Sequence, residues 1–407
     1  MSMIKNFFET GTDKEVFEGL AISREEKLCA DHMGRYPVIS ITLKNVEGRE
    51  LRTADYALKN AVTMEIRRVA EKAKLPESKK LSEYDRVQLE KMLWGRYEDI
   101  AELTDSLRLF SGFLYKHYGQ RVILLIDEYD VPLDKAYENG YYDEMVSAVR
   151  GLLGAALKSN DYLYFAVLTG CLRIARESIF TGLNNFAVYS VSDMEFSKYF
   201  GFTDEEVKDM LHYYGVSESY EVMKEWYDGY QFGDTEVYCP WDVVNYLRKL
   251  RASKNAKPES YWINSSSNSI MQNLLSDAGV KTKDELGMLI SDEAVEKKLM
   301  PELTYTDFDH ANKDVKETYL WSVMLATGYL TETGKTESGF SRLKIPNREI
   351  REIYEEKILG WFKDHAERDE KSRQMLCDSL KEGDAERKNR LYSGSKICGE
   401  RRFYKGL

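Results

Sequence analysis

The residues best suited to chemistry lie in RVILLIDEYDVPLDKA, Arg121–Ala136. Five apolar residues, Val122 to Ile126, run straight into the acidic pair Asp127 and Glu128. A magnesium–nucleotide complex needs a carboxylate to hold the ion, often through water. A second carboxylate can orient the attacking water. Mounted at the C-terminal end of a rigid strand, Asp127 would serve the metal and Glu128 the water. Ordinary strands also end in this way. The next apolar run, LYFAVLTGC, brings Thr169 to a strand end, where a polar side chain can sense a terminal phosphate. Arg173 and Arg176 follow, each able to fork onto phosphate oxygens or to lie on a helix surface.

Such groups need a scaffold, and the pattern supplies one. YPVISITL (Tyr36–Leu43), the run ending at Asp127, Leu163–Cys171 and FAVYSV (Phe186–Val191) all read as short buried strands. Helical spacing fills 51–118 and GYYDEMVSAVRGLLGAALKSN. Strands apolar on both faces, alternating with helices, predict an α/β fold with a parallel sheet. The alternation stops near residue 192. Beyond it, TDEEVKDMLHYYG predicts a helix capped by Thr203, and WYDGYQFGDTEVYCPWDVVNYL a small hairpin before a helix. Residues 255–360 read as mostly helical, with two strands in GYLTETGKTESGFSRLKIP and a last amphipathic helix in NREIREIYEEKILGWF.

Composition removes several classes of function. The 407 residues carry a net charge of −11, which argues against broad nucleic-acid binding. Cys29, Cys171, Cys239, Cys377 and Cys398 are odd in number and form no C-x-x-C pair, so free thiols in a reducing cytoplasm are expected. No apolar run is long enough to span a membrane, and MSMIKNFFETGTDKEVFEGL is no signal peptide. Residues 387–407 hold seven Lys or Arg and one acid, and read as a solvated tail or a nucleic-acid-binding one.

VILLIDEYDVPLDKA, VLTGCLRIARESIFTGLNNF, WYDGYQFGDTEVYCPWDVVNYL and LATGYLTETG together resemble the AAA-ATPase-like family of bacterial and archaeal proteins, across roughly residues 1–362. Members commonly carry a PD-(D/E)XK nuclease-type domain after the ATPase region. The resemblance implies a P-loop NTPase-like parallel sheet in 1–195 and a mostly helical, winged-helix-like region in 196–362. A basic, disordered tail is expected in 363–407. It implies ATP and magnesium as cofactors, with Asp127 and Glu128 as Walker B acids and Thr169 as a sensor.

Two departures follow. A strand and phosphate loop precede the MSMIKNFFE segment in the family, and neither occurs here, so the sheet is expected to lack its first strand. That strand would lie between those ending at Thr169 and near Val191, leaving a gap or pairing those two directly. GYLTETGKT (Gly328–Thr336) ends like a phosphate loop, but five residues separate its glycines where four are required. Strand-like flanks make it a hairpin turn. Asp314-Val315-Lys316 has nuclease spacing but leads into a helix, and truncation or a frame shift near residue 387 is expected. The expectation is therefore an ATPase relative that is inactive as this chain. The alternatives are a non-catalytic interaction module or gene fragment, with a protein or nuclease-type partner, and a nucleic-acid-associated protein.

Overall fold

A computed structural model describes residues 1–97, 100–158, 160–171, 187–262, 280–300 and 313–355. They fall into two compact units. The first draws on Met1–Ser190 and Lys297–Gly328, the second on Val191–Gln272, Asp277–Glu296 and Tyr329–Leu407. The stretch after Lys297 thus returns to the first unit.

The first unit is built on three parallel strands in the order β1 (Val38–Thr42), β2 (Val122–Asp127) and β3 (Leu163–Leu168). Thr42 is level with Asp127, and Ile126 with Leu168. Val122 to Ile126 are all essentially inaccessible. Burying each such side chain is worth roughly 1.5–3 kcal/mol, so this central strand anchors the unit. The helices in chain order are α1 (Ser2–Phe8), α2 (Glu26–His32), α3 (Leu51–Lys72), α4 (Glu83–Leu93) and α5 (Ile100–Tyr118). After β2 come α6 (Val131–Asn139) and α7 (Tyr142–Leu157). Both faces of β2 are covered, and a sheet covered on both faces needs apolar residues at successive positions, as β2 has.

β3 is as apolar as β2 yet only half-buried, and Tyr164 is exposed. Among the described residues no strand lies on its outer edge. The strand expected at Phe186–Val191 is not found where it is described: residues 187–191 form no strand. The Val191 carbonyl instead accepts from Gly233 N–H at 2.9 Å, so this segment binds a hairpin turn.

In the second unit, α8 (Asp204–Tyr213) starts at Thr203, whose hydroxyl and the Glu206 carboxylate form a reciprocal capping box. α9 (Tyr220–Tyr227) leads into the expected hairpin, β4 (Tyr230–Phe232) and β5 (Thr235–Val237), and then α10 (Pro240–Ala252). α11 (Val280–Ile290) follows. β6 (Val295–Lys297) joins β7 (Thr331–Lys335) and β8 (Ser341–Lys344) in a small sheet of order β6-β8-β7. The Gly-Lys-Thr at 334–336 is therefore the end of an antiparallel hairpin strand and its turn, as its spacing indicated. α12 (Lys313–Ala326) contains Asp314 and Lys316, so that triplet is helical. A last helix, α13 (348–355), begins after Asn347, which accepts from Ile350 N–H at 3.1 Å. No helix among the described residues is long and apolar enough to cross a membrane. Cys29, Cys171 and Cys239 are free thiols; Cys377, Cys398 and the tail 363–407 lie outside the described residues.

Candidate functional site

The C-terminal ends of β2 and β3 meet at a network built mostly from the backbone. Thr169 N–H donates to the Ile126 carbonyl at 2.9 Å and Tyr129 N–H to the Thr169 carbonyl at 3.1 Å. On the other side, Leu43 N–H donates to the Asp127 carbonyl at 2.9 Å. These bonds fix the chain on both flanks of Asp127. The Thr169 hydroxyl then donates to Asp127 Oδ1. Two of the residues singled out from sequence thus touch directly across adjacent strands.

Glu128 has φ +55°, the left-handed region that a side chain with a Cβ rarely adopts. Such conformations cost on the order of 1–3 kcal/mol and persist only where the surroundings impose them. Here the turn must leave β2 and enter α6 within three residues. Pro132 supplies a preset φ at the helix start. Neither Asp127 nor Glu128 forms an ion pair with a described residue, and both are half-buried.

Three contributors were not singled out from sequence. Asp130, buried, opens α6. Gly170 allows the close approach of β3: an added Cβ would lie 2.7 Å from Asp130 Oδ1 and 2.9 Å from the Tyr129 ring. Cys171 reports the local field. Burial of its sulfur, then the charges of Asp130, Glu128, Asp127 and Asp134, push its thiol up to about 11, although the residue as a whole is exposed. The spacing of DEYD, with Pro two residues further on, was the available sign of a helix start at Asp130. Arg173 and Arg176 lie outside the described residues.

Four carboxylates around one thiol make a region of negative potential suited to a cation. Yet among the described residues no group of three or more His, Cys, Asp or Glu side chains converges on a metal-binding point. The acids therefore fit an ion that brings most of its own ligands, as magnesium does with phosphate oxygens and water. They do not fit a caged metal.

Residues 1–180 match the family model described as Predicted AAA-ATPase. A curated relative from Azotobacter chroococcum mcd 1, described as "Uncharacterized protein in vnfD 5'region", is 26% identical over 245 residues. The match covers 59% of this chain and 43% of that relative, so the chain spans less than half of the relative's length. No solved structure matches. Over residues 1–180, the chain is thus similar to the AAA-ATPase-like family.

Proposed function

We propose that the shared end of β2 and β3 is the metal-and-water side of an ATP·Mg site. The observation that carries this reading is the Thr169–Asp127 hydrogen bond beside a strained Glu128, with neither acid ion-paired. Asp127 would hold magnesium through its remaining oxygen or a bridging water. Thr169 orients that carboxylate, and Glu128 would accept a hydrogen bond from the attacking water. Bound magnesium would supply charge neutralisation at the phosphates.

The phosphates also need backbone N–H donors from a glycine-rich loop. These 407 residues contain no such motif. As given, the chain is expected to bind ATP·Mg weakly and not to turn it over. The same missing motif favours a second reading, a non-catalytic module that acts through a protein or nuclease-type partner.

Titration of the full chain with ATP, with and without magnesium, tests both readings, alongside Asp127→Ala and Glu128→Gln. Weak magnesium-dependent binding lost in Asp127→Ala supports the site. Magnesium-dependent hydrolysis abolished by Glu128→Gln would keep the site and refute inactivity. Binding that neither variant alters would overturn the site, and no binding at all would favour the non-catalytic module.

A further inference from the structure

The second unit holds a feature that the nucleotide chemistry does not use. Asp242, in the first turn of α10, and Glu349, in the first turn of α13, are both 1% exposed. Asp242 Oδ1 and Glu349 Oε2 are each buried without a hydrogen-bond donor. Glu349 Oε1 accepts from Trp262 N–H at 2.7 Å. The two carboxyl groups lie within hydrogen-bonding reach of each other, and the Cys239 thiol lies on the Asp242 side.

Among the described residues, no Lys, Arg or His is seen to act on this pair. The titratable neighbours are Cys239 at the start of α10, Tyr227 at the end of α9, Tyr230 on β4, and Tyr261 in the segment beside Trp262. Arg348, next to Glu349, is engaged outside with Glu225 and Glu352 and lies over the Trp226 ring. Lys249 of α10 pairs with Glu259 and lies over Tyr261. Two adjacent buried carboxylates without a cation cannot both stay ionised. A proton between them converts two orphaned acceptors into one hydrogen bond.

We propose that Asp242 and Glu349 share one proton, and that this proton latches α13 onto the start of α10. The surrounding packing makes the latch a point of leverage. Asn347 Nδ2 donates to the Asp228 carbonyl at 3.0 Å. Gly229 sits so close to Pro346 that a Cβ would fall 2.0 Å from the Pro346 carbonyl oxygen. The segment leading into α13 is thus clamped to the Asp228–Gly229 turn, while the helix itself is held through Glu349.

Burial, then the Asp242 charge, pushes the Glu349 carboxyl up to about 8; burial raises Asp242 as well. Opened to water, the pair would lose its proton at the ordinary carboxylate value, 4.5 for Glu349. Opening therefore releases a proton across a window from about 4.5 to 8. It becomes easier as pH rises through that window and levels off above it.

The test is amide hydrogen exchange of 348–355 in the full chain from pH 5.5 to 9, corrected for intrinsic exchange. Protection in the native sequence is expected to fall by up to about tenfold per pH unit and to level off near pH 8. Glu349→Gln, which can donate to Asp242 without ionising, is expected to flatten the profile; Asp242→Asn carries the same expectation if that variant does not fold. Asp228, which burial pushes up to about 6, would give a profile that levels near pH 6 instead. A flat native profile between pH 6 and 8, or an unchanged slope in Glu349→Gln, overturns the latch.

Discussion

Arg68 on α3 holds two buried carboxylates of the first unit together, and its loss should be costly. Its Nε and Nη2 donate to the two oxygens of Glu65, each at 2.7 Å, and its Nη1 donates to Glu9 at 2.7 Å. Glu65 also accepts from Ser40 N–H of β1 at 2.6 Å, and Glu9 from Lys72 at 2.8 Å. Both carboxylates are buried. One guanidinium thereby ties the end of α1 to α3 and to the strand beside β2. Removing one partner of a buried pair costs about 3–5 kcal/mol, because the other charge is left stranded. Arg68 is about one-third exposed and Glu9 keeps Lys72, so Arg68→Ala is placed at the low end, about 3 kcal/mol. That corresponds to roughly 6–12 °C in Tm for a unit of this size. Arg68→Lys keeps the charge but cannot fork onto both carboxylates, and should lose about half as much. The pH dependence has a definite sign. In the native chain, burial raises the Glu9 carboxyl, but hydrogen bonds from Lys72 and Arg68 outweigh it and hold it below 4.5. That contribution is present above about 4.5 and fades as pH falls through the lowered value. In Arg68→Ala the Glu9 carboxylate, short of one partner, protonates more readily, so the deficit should shrink toward pH 4. Urea unfolding of both proteins at pH 7 and pH 4 is the assay. A deficit under about 1 kcal/mol at pH 7, or one that does not shrink at pH 4, refutes the reasoning.

Two further substitutions read local geometry. Glu128→Gly removes the left-handed strain at φ +55° and the acid with it, so thermal unfolding should show a gain of about 0.5–1 kcal/mol while any magnesium-dependent nucleotide chemistry is lost; a destabilised Glu128→Gly would show that the side chain, not the turn, holds this conformation. Gly229→Ala combines φ +89° with a Cβ only 2.0 Å from the Pro346 carbonyl oxygen, and should destabilise the second unit by more than about 3 kcal/mol in urea unfolding; a loss below 1 kcal/mol would mean that the clamp on Pro346 yields easily.

The sequence revealed whatever depends on a period. β1, β2 and β3 are legible because a parallel strand buried on both faces must be apolar at successive positions, and each run has the right length. The Thr203 cap and the hairpin around Gly334 are local chemistry, and both formed where the residues indicated. α6 went unread because it is nine residues long and opens with Pro132 immediately after a strand end. FAVYSV misled for the opposite reason. A short apolar run fits a strand, but its partner cannot be seen in the run itself. In the structure the Val191 carbonyl bonds to the Gly233 turn, and Tyr189 is exposed.

The candidate site divides along the same line. Asp127, Glu128 and Thr169 could be found because strand ends in one parallel sheet share an edge, so an acid at one end and a hydroxyl at the next must be neighbours. The contributions of Asp130 and Gly170 arise from a turn whose path no period encodes. The Asp242–Glu349 pair was least legible of all. Each acid occupies the first turn of a helix, where acids ordinarily face water and offset the helix dipole, and each looks unremarkable there. Only the packing of α10 against the start of α13, more than a hundred residues later, turns two routine surface acids into a buried pair that needs a proton. A charge-preserving swap separates these descriptions: Glu349→Asp keeps the acid in the first turn but shortens its reach. If the dipole were its role, stability would hardly change. If the shared proton is, the hydrogen bonds to Trp262 N–H and Asp242 are both lost, and α13 should exchange its amides faster at every pH.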